Sequence, residues 1–151
     1  MAIAIRTATP LDAAVVADFN RRMAEETEHK QLDPQILLAG VAALLADGDK
    51  GVYYLACDGD DIVGQLMITR EWSDWRNGWW WWIQSVYVRA NWRRKGVFQA
   101  LYHHVVQAAQ AASDVLGLRL YVEKENTGAQ ATYRKLGMSP MPYLFFDYWL
   151  S

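Results

Sequence analysis

The sequence predicts an α/β (α+β) domain built on a mixed central sheet, and three observations carry that reading. Apolar residues recur at helical spacing in two early segments and then switch to period-two runs rich in β-branched and aromatic residues. Two hairpin signals, Asp58-Gly59 and Asn77-Gly78, join those runs. Beyond them, helical and strand patterns alternate, which implies a crossover and parallel pairing.

Ile3 to Thr7 reads as a short strand. Thr9-Pro10 then supplies an N-cap with proline at the first helical position, and Asp12 sits in the first turn. Val15, Phe19 and Met23 carry the helical stripe to about Glu28. Asp33-Pro34 repeats the start signal for a second helix striped by Ile36, Leu37, Val41, Leu44 and Leu45 and stopped by Asp47-Gly48. Val52 to Cys57 and Ile62 to Glu71 are the first hairpin, and Trp79 to Val88 follows antiparallel to the second strand. A helix is expected from Arg94 to Ser113, a strand from Leu118 to Glu123, a helix from Thr127 to Leu136 and a last strand from Tyr143 to Trp149. The first half is thus hairpin-rich, and the second is β-α-β-α-β.

The chain has 151 residues, so residues 1–151 are read as one domain. A chain of this length buries roughly 68–70% of its unfolded surface and needs no covalent staple. A net charge of −2 argues against a nucleic-acid partner, which needs a basic face. The single cysteine, Cys57, excludes an internal disulfide framework and fits a cytoplasmic location. The N-terminus lacks a basic segment followed by a long apolar one, so no signal peptide is read, and the apolar run Ile36 to Ala46 is too short to cross a membrane. His29, His103 and His104 do not form a metal-ligand pattern, so no metal is expected.

Two segments carry chemistry. Residues 86–98 read Val-Tyr-Val-Arg-Ala-Asn-Trp-Arg-Arg-Lys-Gly-Val-Phe: a strand, a basic turn with one glycine, then a helix start. Unpaired N–H groups and partial positive charge at a helix N-terminus suit a pyrophosphate, and glycine admits its close approach. A solvated basic turn is the plainer alternative. About thirty residues on comes Asn126-Thr-Gly-Ala-Gln-Ala-Thr-Tyr133-Arg-Lys-Leu-Gly137-Met. Together, in this order, the two segments resemble the acetyl-CoA signature of the GNAT N-acetyltransferase superfamily, and the element order resembles the GNAT fold across nearly the whole chain.

The resemblance implies the following. Acetyl-CoA is the co-substrate. The turn Arg93, Arg94, Lys95, Gly96, Val97 and Phe98 holds its pyrophosphate, with Phe98 standing where the family pattern has Gly or Ala. Strand Trp79–Val88 splays from its parallel neighbour, and Val86, Tyr87 and Val88 hydrogen-bond the pantetheine and the thioester oxyanion. Asn126 and Ala129 contact the pantetheine arm, and Tyr133 is the general acid that protonates the departing thiolate. Where many members place a glutamate as base, Gln84 stands here, and an amide accepts no proton at neutral pH. Glu71 and the Glu25, Glu26, Glu28 cluster are the carboxylates that could replace it, with Glu26 the candidate acceptor contact. For the cluster as a whole, a solvated helix end is the plainer reading.

Eight tryptophans are many for this length. Trp79 to Trp82 are explained by packing on the two faces of a strand. Trp72 and Trp75 lie in the turn between strands and wall an acceptor pocket, where a cation would stack, or else form a homodimer patch. The favoured function is acetyl transfer from acetyl-CoA to a primary amine, with a small cationic molecule as acceptor and neither nucleic acid nor membrane as partner. A catalytically silent acyl-CoA sensor and a dimeric structural protein are the competing readings.

Overall fold

The computed structural model describes residues 2–151. Contacts divide the chain into two compact units, one running to Leu120 and one from Tyr121 to Ser151.

The first unit is a five-stranded sheet in the order β1-β2-β3-β4-β5, made of Ala4–Thr7, Val52–Asp58, Asp61–Ser73, Gly78–Val88 and Val115–Arg119. The first four strands pair antiparallel in sequence, and β4 pairs parallel with β5. Helices α1 (Ala13–Glu28) and α2 (Pro34–Leu45) cover one face. There Val16, Ala17 and Val41 pack with Tyr53, Leu55, Cys57 and Met67. Helix α3 (Val97–Ala111) covers the other face, with Val97 and Leu101 over Gly64 and His104 edge-on to Tyr54. Period-two alternation along β2 and β3 sends their apolar residues to both layers, so both strands are buried through their centres.

The start signals act as read, with local adjustments. Asp33 caps α2 by accepting from the Gln35 and Ile36 amides. Pro10–Asp12 form one 3₁₀ turn ahead of α1, and Asp12 accepts from the Thr9 amide at 2.8 Å and from Arg6 at 2.8 and 2.9 Å. The two hairpin turns stand where Asp58-Gly59 and Asn77-Gly78 indicated, with Gly59 at φ 58° and Asn77 at φ 54°.

Several expected boundaries move. The third strand extends to Ser73, so Trp72 is a strand residue opposite Trp79 and not part of the turn. Helix α3 begins at Val97 and not Arg94, because Arg94 (φ 64°) and Gly96 (φ 84°) are left-handed and cannot join a right-handed helix. The strand expected at Leu118–Glu123 is Val115–Arg119. Close packing accompanies its register: the Trp80 indole comes within 3.0 Å of where a Cβ on Gly117 would be, and Leu116 lies against Gly78.

The second unit contains α4 (Thr127–Lys135), ended by Gly137 at φ 95° with the Met138 amide returning to the Tyr133 carbonyl. The strand expected at Tyr143–Trp149 does not form. Among the described residues they have no ladder partner, and β propensity without a paired neighbour does not hold a strand.

Candidate active site

The β4–α3 junction gathers most of the predicted pyrophosphate site. Pairing between β4 and β5 ends at Trp82–Arg119, and among the described residues β4 pairs beyond that point with β3 alone, through Ile83–Val88. At Ser85 the strand bulges: φ is 51°, and the β3 register shifts between Gln65 and Met67. Beyond the bulge the Arg89 amide bonds the Val63 carbonyl on β3. Backbone alternation therefore turns the Val86 and Val88 groups to the open side and the Tyr87 groups to β3.

The turn 93–96 follows one 3₁₀ turn, Ala90–Trp92. Gly96 stands at the N-cap of α3, and no side chain caps that end. A Cβ on Gly96 would meet nothing nearer than Gln99 Oε1 at 3.8 Å, so its left-handed φ and not crowding is what demands glycine. Arg94 and Lys95 are exposed, and Lys95 Nζ lies 5.4 Å from the Trp92 ring centre.

Arg93 has a different position from its two neighbours. Its Nε donates to the Val88 carbonyl at 2.9 Å, and a terminal nitrogen donates to Glu26 Oε1 at 2.7 Å. The Tyr87 hydroxyl donates to the other Glu26 oxygen at 2.7 Å, and the guanidinium lies over the Tyr87 ring. Glu26 thus ties the end of α1 to the end of β4 and the basic turn. Tyr87, then Arg93, hold its carboxyl below the usual range, so it stays ionised and is a weak base. Burial, reinforced by Glu26, raises the Tyr87 phenol.

Further along the sheet, Glu71 accepts from Trp82 Nε1 at 2.8 Å and pairs with Arg119 at 3.2 Å. Gln84 donates to the Thr69 hydroxyl at 2.7 Å. Trp80 and Trp82 share this face with them, while Trp79 and Trp81 take the other. Trp72 packs edge-on against Trp79, and Trp75 is 88% exposed in the hairpin turn.

One buried network escaped the sequence reading. Gln65 is fully buried; its Nε2 donates to Asn20 Oδ1 at 2.8 Å and to the Ser85 carbonyl at 3.0 Å. Asn20 in turn donates to the Tyr53 hydroxyl at 2.9 Å. The chain Tyr53–Asn20–Gln65–Ser85 pins the β4 bulge to α1. Its signal was available: Gln65 is a lone amide inside the apolar run Val63 to Ile68.

In the second unit, Asn126 Oδ1 accepts from the Ala129 amide at 3.1 Å and so caps α4. Tyr133 lies on the same helix, and burial raises its phenol above the ordinary value of 10.0. Among the described residues no three His, Cys, Asp or Glu are grouped as metal ligands, and no helix is long and apolar enough to cross a membrane.

Residues 14–138 match the acetyltransferase (GNAT) family model. A possible acetyltransferase from Clostridium difficile 630 is 45% identical, with a TM-score of 0.93 over 100% of this chain and 99% of that one. Two more distant structures share the fold. An aminoglycoside acetyltransferase from an uncultured soil metagenomic sample has 19% identity and a TM-score of 0.78, with 100% of each chain covered. A predicted acetyltransferase from Clostridium acetobutylicum, solved with acetyl-CoA, has 16% identity and a TM-score of 0.78 over 97% of this chain and 96% of that one. No curated protein matches the sequence. With the family model spanning most of its length, the chain belongs to the GNAT acetyltransferase family.

Proposed function

We propose that the chain transfers the acetyl group of acetyl-CoA to a primary amine of a small cationic molecule, by direct attack within a ternary complex. The observation that carries this reading is the continuity of an open strand edge, Ile83–Val88, with a glycine turn and a side-chain-uncapped helix N-terminus at Val97. A pantetheine extends as a strand does, and a pyrophosphate sits where helix N–H groups converge. The residues present fit acetyl-CoA. Gly96 leaves the backbone uncovered, and exposed Arg94 and Lys95 add positive charge.

When bound, acetyl-CoA supplies an activated acyl carbon and a thiolate leaving group. The residues of this chain do the rest. The backbone groups of Val86 and the Val88 amide orient the arm, the Val88 carbonyl being taken by Arg93, and a strand N–H takes the oxyanion. Arg93 acts through position: with Glu26 and the Val88 carbonyl it braces the turn, leaving Arg94 and Lys95 toward phosphate. Tyr133 is the proposed acid. Its raised phenol keeps its proton at neutral pH and passes it to the thiolate. Asn126 and Ala129 shape the second half of the family motif. Glu26 is committed to Tyr87 and Arg93, and Gln84 cannot accept a proton, so deprotonation of the amine runs through water. Glu71, on the sheet face it shares with Trp80 and Trp82, is the proposed acceptor-side carboxylate, while Trp72, packed against Trp79 on the opposite face, and the exposed Trp75 are proposed as a separate aromatic surface of the hairpin.

The test is release of free thiol from acetyl-CoA during a screen of polyamines, aminoglycosides and amino acids. Turnover with at least one small amine, abolished by omitting it, supports the reading. Tight acetyl-CoA binding with no turnover on any amine would favour the silent sensor.

A further inference from the structure

Helix α1 holds strand β4 at two points. One is the Glu26 carboxylate on the Tyr87 hydroxyl. The other is a chain of side-chain amides that ends on the strand's backbone, and every residue of it lies in the first unit. Gln65 Nε2 donates to Asn20 Oδ1 at 2.8 Å and to the Ser85 carbonyl at 3.0 Å, and Asn20 Nδ2 donates to the Tyr53 hydroxyl at 2.9 Å. A carbonyl only accepts, so the Ser85 oxygen fixes which end of the Gln65 amide faces it. With the Gln65 nitrogen so turned, Asn20 has to present its oxygen, and its nitrogen is left for Tyr53.

The chain ends at the least regular point of β4. Gln65 stands opposite Tyr87 and Met67 opposite Gln84, so Ser85 and Val86 together face the single residue Leu66. Ser85 takes φ 51°, a left-handed state that a residue with a Cβ keeps only when its surroundings hold it there. A polar side chain at position 65 carries its own cost. Gln65 is fully buried, and its Oε1 has no hydrogen-bond partner among the described residues. Packing alone would be served by an apolar side chain, as at Val63, Leu66 and Ile68 around it. What the amide adds is a donor to the Ser85 carbonyl.

A trans peptide unit is planar, so its C=O and N–H point in opposite directions. The Ser85 carbonyl and the Val86 N–H belong to one such unit. Holding the carbonyl toward Gln65 therefore holds the Val86 N–H away from β3, on the open side of the strand. We infer that Gln65, braced by Asn20, is a positioning residue for acetyl transfer: it aims the Val86 N–H at the thioester oxygen of acetyl-CoA. This role rests on the acetyl-transfer reading above, and it names the strand N–H that takes the oxyanion and the buried side chain that directs it. A donor fixed in advance is effective because it does not reorient as charge develops.

The experiment compares Gln65→Met with the wild type in the full chain, using the most active amine found by thiol release. Outright loss of an oxyanion donor lowers kcat roughly 10²–10³-fold, and a donor left in place without its aim is expected to lower it about 10–100-fold. The acetyl-CoA dissociation constant is expected to rise no more than about fivefold. A merely structural role would lower the melting temperature and leave kcat of the folded protein unchanged. Backbone amides are followed by heteronuclear NMR as acetyl-CoA is added. In the wild type the Val86, Gly96 and Val97 amides are expected to shift; in the variant Gly96 and Val97 shift and Val86 does not. An unchanged kcat, or a Val86 response equal in both proteins, overturns the inference and leaves the acetyl-CoA site standing. A wild type whose Gly96 and Val97 amides do not respond, or that turns over no amine, overturns both this role and the acetyl transfer. Should Gln65→Met fail to fold, Asn20→Ala removes the brace and leaves Gln65 in place. A kcat lowered at least about threefold with the Gly96 response intact then supports the inference, and an unchanged kcat rejects it.

Discussion

Replacing Gly96 by alanine separates backbone conformation from crowding. Gly96 stands at φ 84°, ψ 11°, and an added Cβ would have no neighbour within 3.8 Å. The whole cost is therefore the left-handed conformation of a residue with a Cβ, about 1–2 kcal/mol. Where that cost appears depends on what holds the turn. Arg94, Lys95 and Gly96 are exposed, so little packing opposes local relaxation. The substituted turn then leaves its left-handed state when free and must recover it to bind. The expected result is a 5–30-fold weaker acetyl-CoA dissociation constant by calorimetry, with a melting temperature close to wild type. Gly40→Ala is the control. It lies inside α2 with open space around it and is expected to stabilise the fold by about 0.5–1 kcal/mol without changing affinity. A Gly96→Ala protein that binds and melts as wild type would refute the assignment of this turn to the pyrophosphate.

Other outcomes follow from the same structure. Gly64→Ala places a Cβ 2.9 Å from Val97 Cγ1 and 3.2 Å from the Tyr87 carbonyl, beneath the first turn of α3. A stability loss of about 1–3 kcal/mol is expected by urea titration. Gln65→Leu leaves Asn20 Oδ1 and the Ser85 carbonyl without their donor, and a loss of about 1–3 kcal/mol with weakened acetyl-CoA binding is expected. Tyr133→Phe is expected to lower kcat and leave acetyl-CoA affinity within about twofold; unchanged turnover with every active amine would remove the acid role. Arg6 holds the Asp12 carboxyl at about 2 against an ordinary 3.8. A depressed carboxylate contributes stability above its unfolded value, so the contribution is complete above pH 4 and is lost as pH falls from 4 toward 2. Arg6 is 45% exposed, which screens the pair to about 1 kcal/mol, and Asp12→Asn should flatten that part of an acid titration.

Much of the fold was legible because local signals and tertiary context agreed. Asp33-Pro34, Asp58-Gly59 and Asn77-Gly78 each specify a backbone state that few other residues adopt cheaply, and each marks a boundary in the structure. The misplaced elements are those decided by distant partners. Val115–Arg119 is a strand because Trp79–Trp82 lies beside it with a glycine under Trp80, which no local pattern encodes. Tyr143–Trp149 has strand composition but forms no strand in the structure. The site divides the same way. The glycine turn and the helix it starts were visible in residues 86–98. The pairing of Glu26 with Tyr87 and Arg93, between residues 61 and 67 positions apart, was not. That pairing changes the reading of two side chains. Glu26, a candidate acceptor contact from sequence, braces the turn, and Arg93 braces it from the other side. The Gln65 network needed the fold for the same reason, since its bond to Asn20 spans 45 positions.

The most direct test of the account is a calorimetric titration of the wild-type chain with acetyl-CoA. Micromolar, one-to-one binding is the predicted result. No detectable binding at millimolar acetyl-CoA would contradict the proposed acetyl transfer and leave the open β4 edge and the Gly96 turn without a ligand.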